Sequence, residues 1–108
     1  DYIHVLDLVD AHILALNKLI NEGGGFLYNV GTGHGYSNRQ IIDMVKKVSE
    51  RDFKVKVADR RPGDAETLVA DSTKIKKELG FSPKYSDLDK IIETAWLWHK
   101  NHSDGYES

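Results

Sequence analysis

The sequence has no cysteine. Disulfides, zinc–thiolate centres and cysteine nucleophiles are therefore excluded. No apolar run approaches the roughly 18 residues that a membrane helix needs. No block of five or more like charges occurs, so there is neither a polybasic arm nor an acidic tail. Fifteen Lys and Arg stand against 17 Asp and Glu, a net charge of −2, which gives no reason to expect nucleic acid or a membrane surface as partner. Internal repeats, low-complexity tracts and a visible leader segment are also lacking. What remains is 108 residues, 40% hydrophobic and 30% charged, the composition of one soluble globular domain or a piece of one, compatible with the cytoplasm. The chain opens at Asp1 inside a strand-like stretch and reads as a fragment.

Two catalytic signatures are missing as well. No Tyr-x-x-x-Lys pair occurs: four residues after Tyr2, Tyr28, Tyr36 and Tyr85 stand Leu6, Thr32, Gln40 and Asp89. The glycines Gly31, Gly33 and Gly35 follow a strand-like stretch, but the dinucleotide fingerprint G-x-G-x-x-G needs its third glycine one position later. A tight strand-to-helix turn explains these glycines equally well. The five histidines, His4, His12, His34, His99 and His102, are scattered. Exposed or hydrogen-bonded roles suit them better than metal ligation.

Periodicity supplies the elements. Tyr2–Val5 reads as a short strand, and Asp7 caps or enters a helix in which Leu6, Val9, Ile13, Leu16 and Ile20 recur at helical spacing. Gly23–Gly25 ends it. Phe26–Val30 reads as a buried strand. Ser37 with Gln40 spells a capping box, opening a helix whose buried face is Ile41, Ile42, Met44, Val45 and Val48. Phe53, Val55 and Val57 alternate with Lys54 and Lys56 as a half-buried strand. Thr67–Ala70 is extended, Asp71-Ser72 starts a short helix to Leu79, and Ser86 with Asp89 starts the last one, carrying Trp96 and Trp98. The expected fold class is α/β, with about four helices and three to four short strands.

Between strand and helix lies Arg60-Arg61-Pro62-Gly63-Asp64. Arginine suits phosphate because its planar fork keeps its charge and presents fixed donors. Pro62-Gly63 forces a sharp turn that brings Asp64 back beside the arginines. Such a turn can grip a diphosphate through Arg61 and a sugar hydroxyl through Asp64. An ordinary surface turn with an Arg–Asp pair satisfies the same spacing.

Four stretches together resemble the C-terminal part of the UDP-glucose 4-epimerase family, in the extended short-chain dehydrogenase/reductase group of NAD-dependent epimerases and dehydratases. They are Asp1-Tyr2-Ile3-His4-Val5 with Asp7-Leu8, Tyr28 to Ser37, Arg60 to Asp64 followed by Ala70-Asp71, and Leu79-Gly80-Phe81 ahead of Trp96-Leu97-Trp98. The resemblance runs over nearly the whole chain. It implies one C-terminal substrate-binding segment over 1–108, built of the last Rossmann-side elements and the small substrate-binding α/β domain, with a frayed tail over 103–108. It implies that Arg61 contacts the UDP diphosphate and Asp64 the ribose, with Gly63 completing the motif and Tyr2 near the nucleotide. Leu68 falls where the family carries a residue that helps decide whether N-acetylated sugars fit. The family's preceding phosphate-binding Arg would stand before Asp1. The resemblance further implies a parent that interconverts UDP-glucose and UDP-galactose, with NAD held by an N-terminal Rossmann domain that is not in this sequence. By the same resemblance, in that parent NAD would take a hydride from C4 of the sugar, and the 4-keto sugar would turn and be reduced from its other face. The segment itself carries no catalytic, cofactor-binding or metal-binding residue and is inert alone. Its partners are a UDP-sugar and the parent's own Rossmann domain. The parent is expected to be a homodimer, and the segment to self-associate through uncovered apolar surface and a strand edge. Two alternatives stay open: another nucleotide-sugar 4-epimerase or dehydratase of the group, and a non-enzymatic α/β interaction module whose Arg turn is incidental.

Overall fold

A computed structural model describes residues 1–106. Four helices form: α1 (Val5–Glu22), α2 (Asn38–Ser49), α3 (Thr73–Leu79) and α4 (Leu88–Asn101). Their ends follow local chemistry. The cap of α1 is His4, whose Nδ1 accepts from the Leu6 N–H at 3.0 Å. Asp7 lies one turn further in and does not cap. Gly23 closes the helix with φ +69°, a conformation an L side chain resists, and its N–H returns to the Leu19 carbonyl. At α2 the capping box is complete: the Gln40 N–H donates to Ser37 Oγ, and the Ser37 N–H donates to Gln40 Oε1. Ser72 precedes α3 without a side-chain cap bond; Asp71 serves instead, accepting from the Thr73 N–H and hydroxyl. The residue before α4 is Asp87 rather than Ser86.

The α/β expectation is overturned: among the described residues there is no strand. The stretches 26–30, 53–57 and 67–70 are non-helical, as their alternation and β-branched content favour, but a strand exists only with a neighbour to complete its ladder. Outside the helices, the backbone–backbone hydrogen bonds of the described residues are caps and turns. Phe26–Val30 is held by side chains instead. Tyr28 and Val30 pack on the core, and Lys74 Nζ donates to the Leu27 carbonyl at 2.9 Å. Residues 51–69 are exposed throughout.

Apolar burial lies mainly at two helix pairs. Helix α1 packs on α3, and α2 on α4. Between the first pair lies a core of Ala11, Ile75 and Phe81, with Ile3, Leu14, Tyr28, Val30 and Leu79 around it. Between the second, Ile41 and Val45 face Leu88, Ile92 and Trp96 across an apolar groove of about 280 Å³. The expected buried face of α2 is therefore only half-buried. On α1 the stripe Leu6, Val9, Ile13, Leu16 and Ile20 points to solvent.

The molecule is extended, 51 × 38 × 24 Å, with a radius of gyration of 17.1 Å. A compact chain of this length would have about 13 Å. Its accessible surface is 8736 Å², where about 6,000 Å² is usual for the mass. Of the tail expected to fray over 103–108, residues 107–108 lie outside the described residues. The rest is tethered: the Gly105 N–H donates to the His102 carbonyl, and the Tyr106 ring meets Trp98 edge-on at 5.3 Å.

Candidate functional site: an open cleft beside the Arg61 turn

An open cleft of about 770 Å³ is formed where the N-terminal segment, the 28–31 segment and residues 65–71 converge. Its volume suits a small-molecule ligand. Tyr2 and Leu68 line it from neighbouring segments, with Tyr36 and Asn38 at the start of α2.

Asp1 holds these segments together. Its Oδ1 accepts from the Thr32 N–H at 3.1 Å and the Thr32 hydroxyl at 2.8 Å. Its Oδ2 accepts from the Gly33 N–H at 3.0 Å and the Ala70 N–H at 3.2 Å. The Asp1 nitrogen donates to the Leu68 carbonyl at 2.7 Å. Gly31 lies beneath this clip, where a Cβ would come within 2.6 Å of both Asp1 Oδ2 and Ala70 Cβ. Only glycine fits that approach.

The Arg61 turn forms as its spacing predicts. The Asp64 N–H returns to the Arg61 carbonyl at 3.3 Å, and Gly63 takes φ +85°. Arg61 Nε donates to Asp64 Oδ2 at 2.8 Å, and Arg60 donates to the Asp64 carbonyl at 3.0 Å. Arg61 is 84% exposed and Asp64 45%, so water screens the pair and it adds little to stability. Both remain open to a ligand. Arg61, Gly63 and Asp64 stand outside the cleft lining, which the same loop joins at Ala65 and Glu66. Of the residues singled out in the sequence, Tyr2 and Leu68 thus share the cleft, and Arg61, Gly63 and Asp64 share the turn beside it.

Sequence reasoning missed a buried polar knot beneath α1. Asp7 is 2% exposed and accepts from the Lys84 N–H at 2.8 Å, the Tyr85 N–H at 2.9 Å and the Ser86 hydroxyl. Ser86 Oγ in turn accepts from the His4 N–H, and His4 Nε2 meets Thr94 Oγ1 at 2.8 Å. Because Nδ1 accepts from Leu6 and Thr94 gives its proton to the Lys90 carbonyl, the ring carries its hydrogen on Nε2. Burial pushes the Asp7 carboxyl up, but the Ser86 hydroxyl and the Lys84 and Tyr85 N–H groups outweigh it and leave it below the ordinary carboxylate value. The only signal in the sequence was Asp7 itself, in the first turn of a helix already capped by its neighbour.

Among the described residues no group of three or more His, Asp or Glu side chains is placed to hold a metal ion. No described helix is long and apolar enough to cross a membrane. The Gly31–Gly35 loop offers no pyrophosphate cradle, since its Thr32 and Gly33 N–H groups already donate to Asp1.

The open, polar cleft and the exposed Arg61–Asp64 pair beside it, on a body with much uncovered apolar surface, are features that suit a small-molecule ligand. The chain belongs to the family described as GDP-mannose 4,6 dehydratase, whose model matches residues 1–94. It is 49% identical to the UDP-glucose 4-epimerase of Lactobacillus helveticus over 107 residues, 99% of this chain and 32% of the relative. A crystal structure of a UDP-glucose 4-epimerase superposes with a TM-score of 0.94 at 47% identity, covering all of this chain and 33% of that one. The UDP-glucose 4-epimerase of Bifidobacterium longum, solved in complex with NAD+ and UDP, superposes with a TM-score of 0.88 at 35% identity, covering 98% of this chain and 31% of that one. The chain spans about a third of the length of the relatives it matches.

Proposed function

We propose that this chain is the nucleotide-sugar-binding third of a UDP-glucose 4-epimerase. The observation that carries the reading is 49% identity to such an enzyme over 99% of the chain. The whole protein would interconvert UDP-glucose and UDP-galactose in the cytoplasm as a homodimer. NAD, held by residues outside this sequence, would supply hydride exchange at the sugar carbon. This chain's part is to bind and orient. Arg61 places its guanidinium on the diphosphate, Asp64 accepts from a ribose hydroxyl, and Gly63 permits the turn that joins them. Both Tyr2 and Leu68 line the cleft, Tyr2 toward the nucleotide and Leu68 toward the sugar. Fixing the substrate in this way removes translational and rotational freedom from the reacting step. Without the hydride carrier and a proton-abstracting pair, the chain alone is inert.

An amide-shift titration with UDP tests the binding role. Shifts are expected at residues 60–66 and around Tyr2, and Arg61→Ala should weaken binding about tenfold, the loss of one charge-assisted contact to phosphate. An undiminished titration in the mutant would remove Arg61 from the site. Uncovered apolar surface, including the α1 stripe, is the ground for expecting self-association. Sedimentation of the chain should show dimers or larger species at high concentration, and a clean monomer would count against it.

A further inference from the structure

We propose that Asp1 is a positioning residue for the sugar-bearing part of the ligand. This deepens the nucleotide-sugar reading and rests on it. The Arg61 turn stands outside the cleft and its loop runs into the cleft wall at Ala65–Glu66. A ligand whose diphosphate is held at the turn therefore directs its sugar end into the cleft toward Leu68. Leu68 is 78% exposed and has no packing to fix its place. Its backbone is fixed instead from both sides by Asp1, through the Leu68 carbonyl and the Ala70 N–H. The same carboxylate ties that segment to Thr32 and Gly33, which directly follow the lining residues Tyr28–Gly31. Tyr2, next in sequence, is placed by the same anchor. One residue thus joins the Leu68–Ala70 segment to the 28–33 segment, its carboxylate holding Ala70, Thr32 and Gly33 and its nitrogen holding Leu68.

The geometry makes this position intolerant. All four partners of the carboxylate are donors, two on each oxygen. Asparagine keeps the shape but turns an N–H₂ toward two of those donors, so at most one side of the clip survives. Glutamate adds a methylene where Gly31 leaves no space. From the opposite side, Gly31→Ala drives a methyl into Asp1 Oδ2 and Ala70 Cβ. A substitution at either residue should therefore have the same consequence.

The test is a pair of titrations, UDP and UDP-glucose, on the wild-type chain, Asp1→Asn and Gly31→Ala, followed by amide shifts. Both variants are expected to lose about tenfold more affinity for UDP-glucose than for UDP, the scale of a lost buried acceptor. The Thr32, Gly33 and Ala70 amides should move in both without ligand, while those of α2 and α4 stay in place and show that the fold persists. Equal losses for the two ligands would mean that Asp1 only supports the fold, and this would overturn the proposal. Unchanged affinity for UDP-glucose would overturn it too. If the wild type binds UDP but gains nothing from the sugar, the positioning role fails while the nucleotide reading stands. If the wild type binds neither ligand, both fail together.

Discussion

Asp7→Ala is expected to lower the unfolding free energy by about 3 kcal/mol, the scale for stripping a buried acceptor from several donors. The substitution orphans the Lys84 and Tyr85 N–H groups and the Ser86 hydroxyl at once. Water cannot replace the carboxylate without entering a site where Asp7 is 2% exposed. The effect reaches further than local packing because the two helix pairs have few bonds between them. Asp7 belongs to α1, and its three donors lie in the segment leading into α4. The His4–Thr94 contact, which crosses the same boundary, is braced by Ser86. In urea, a slope of about 1.5 kcal/mol/M would turn the loss into a midpoint shift of about 2 M. A midpoint unchanged in Asp7→Ala would show that the knot is not formed in solution.

The same carboxylate sets the acid limb of stability. Its folded-state value lies below the ordinary value of 3.8. A carboxyl whose proton affinity is depressed by folding contributes stability that is fully present above its unfolded value, and this is lost as pH falls through the folded one. The stability difference between wild type and Asp7→Asn should thus hold constant from neutrality down to about pH 5 and shrink below pH 4. A difference that grows on acidification would reverse the assignment.

Local chemistry was readable where partners lie close in sequence. The Ser37–Gln40 box, the glycine stop at Gly23 and the Arg61–Asp64 turn each depend on residues no more than four apart, and each forms. The helices likewise lie where apolar spacing puts them. What failed was everything that depends on a distant choice of partner. Phe53–Val57 has the alternation of a strand, yet alternation describes a surface that suits a sheet and does not supply the adjoining strand. The α1 stripe was read correctly as apolar, but nothing in its spacing says whether the covering element belongs to these residues. Asp1 and Asp7 look alike in sequence, each a carboxylate near an N-terminal turn. Their roles differ because one meets Thr32 and Ala70 and the other Lys84 to Ser86, separations of 31 to 79 residues. The cleft was legible only in its parts, as Tyr2 and Leu68, and not as a cavity.

Phe81→Ala should cost about 4 kcal/mol, within the usual range for emptying an aromatic site in a core. The reason is the size of the core. Only Ala11, Ile75 and Phe81 are buried in it, so the ring has no second layer to collapse into its place. Gly80, at φ +67°, ends α3 and turns the chain so that Phe81 points straight back under the helix it follows. There it closes the space bounded by Ile3, Leu14, Tyr28 and Val30. Ile3, Tyr28 and Val30 also line the cleft, so the loss should loosen the cleft floor along with α1 and α3. Helices α2 and α4 pack on one another through Ile41, Val45, Ile92 and Trp96 and share none of those residues. Hydrogen exchange should therefore accelerate in α1, α3 and residues 28–31 of Phe81→Ala while the α2–α4 pair keeps most of its protection. Uniform loss of protection across all four helices would mean that the Asp7 knot couples the two pairs into one cooperative unit. That outcome would make Asp7, rather than either apolar core, the element on which the folded chain depends.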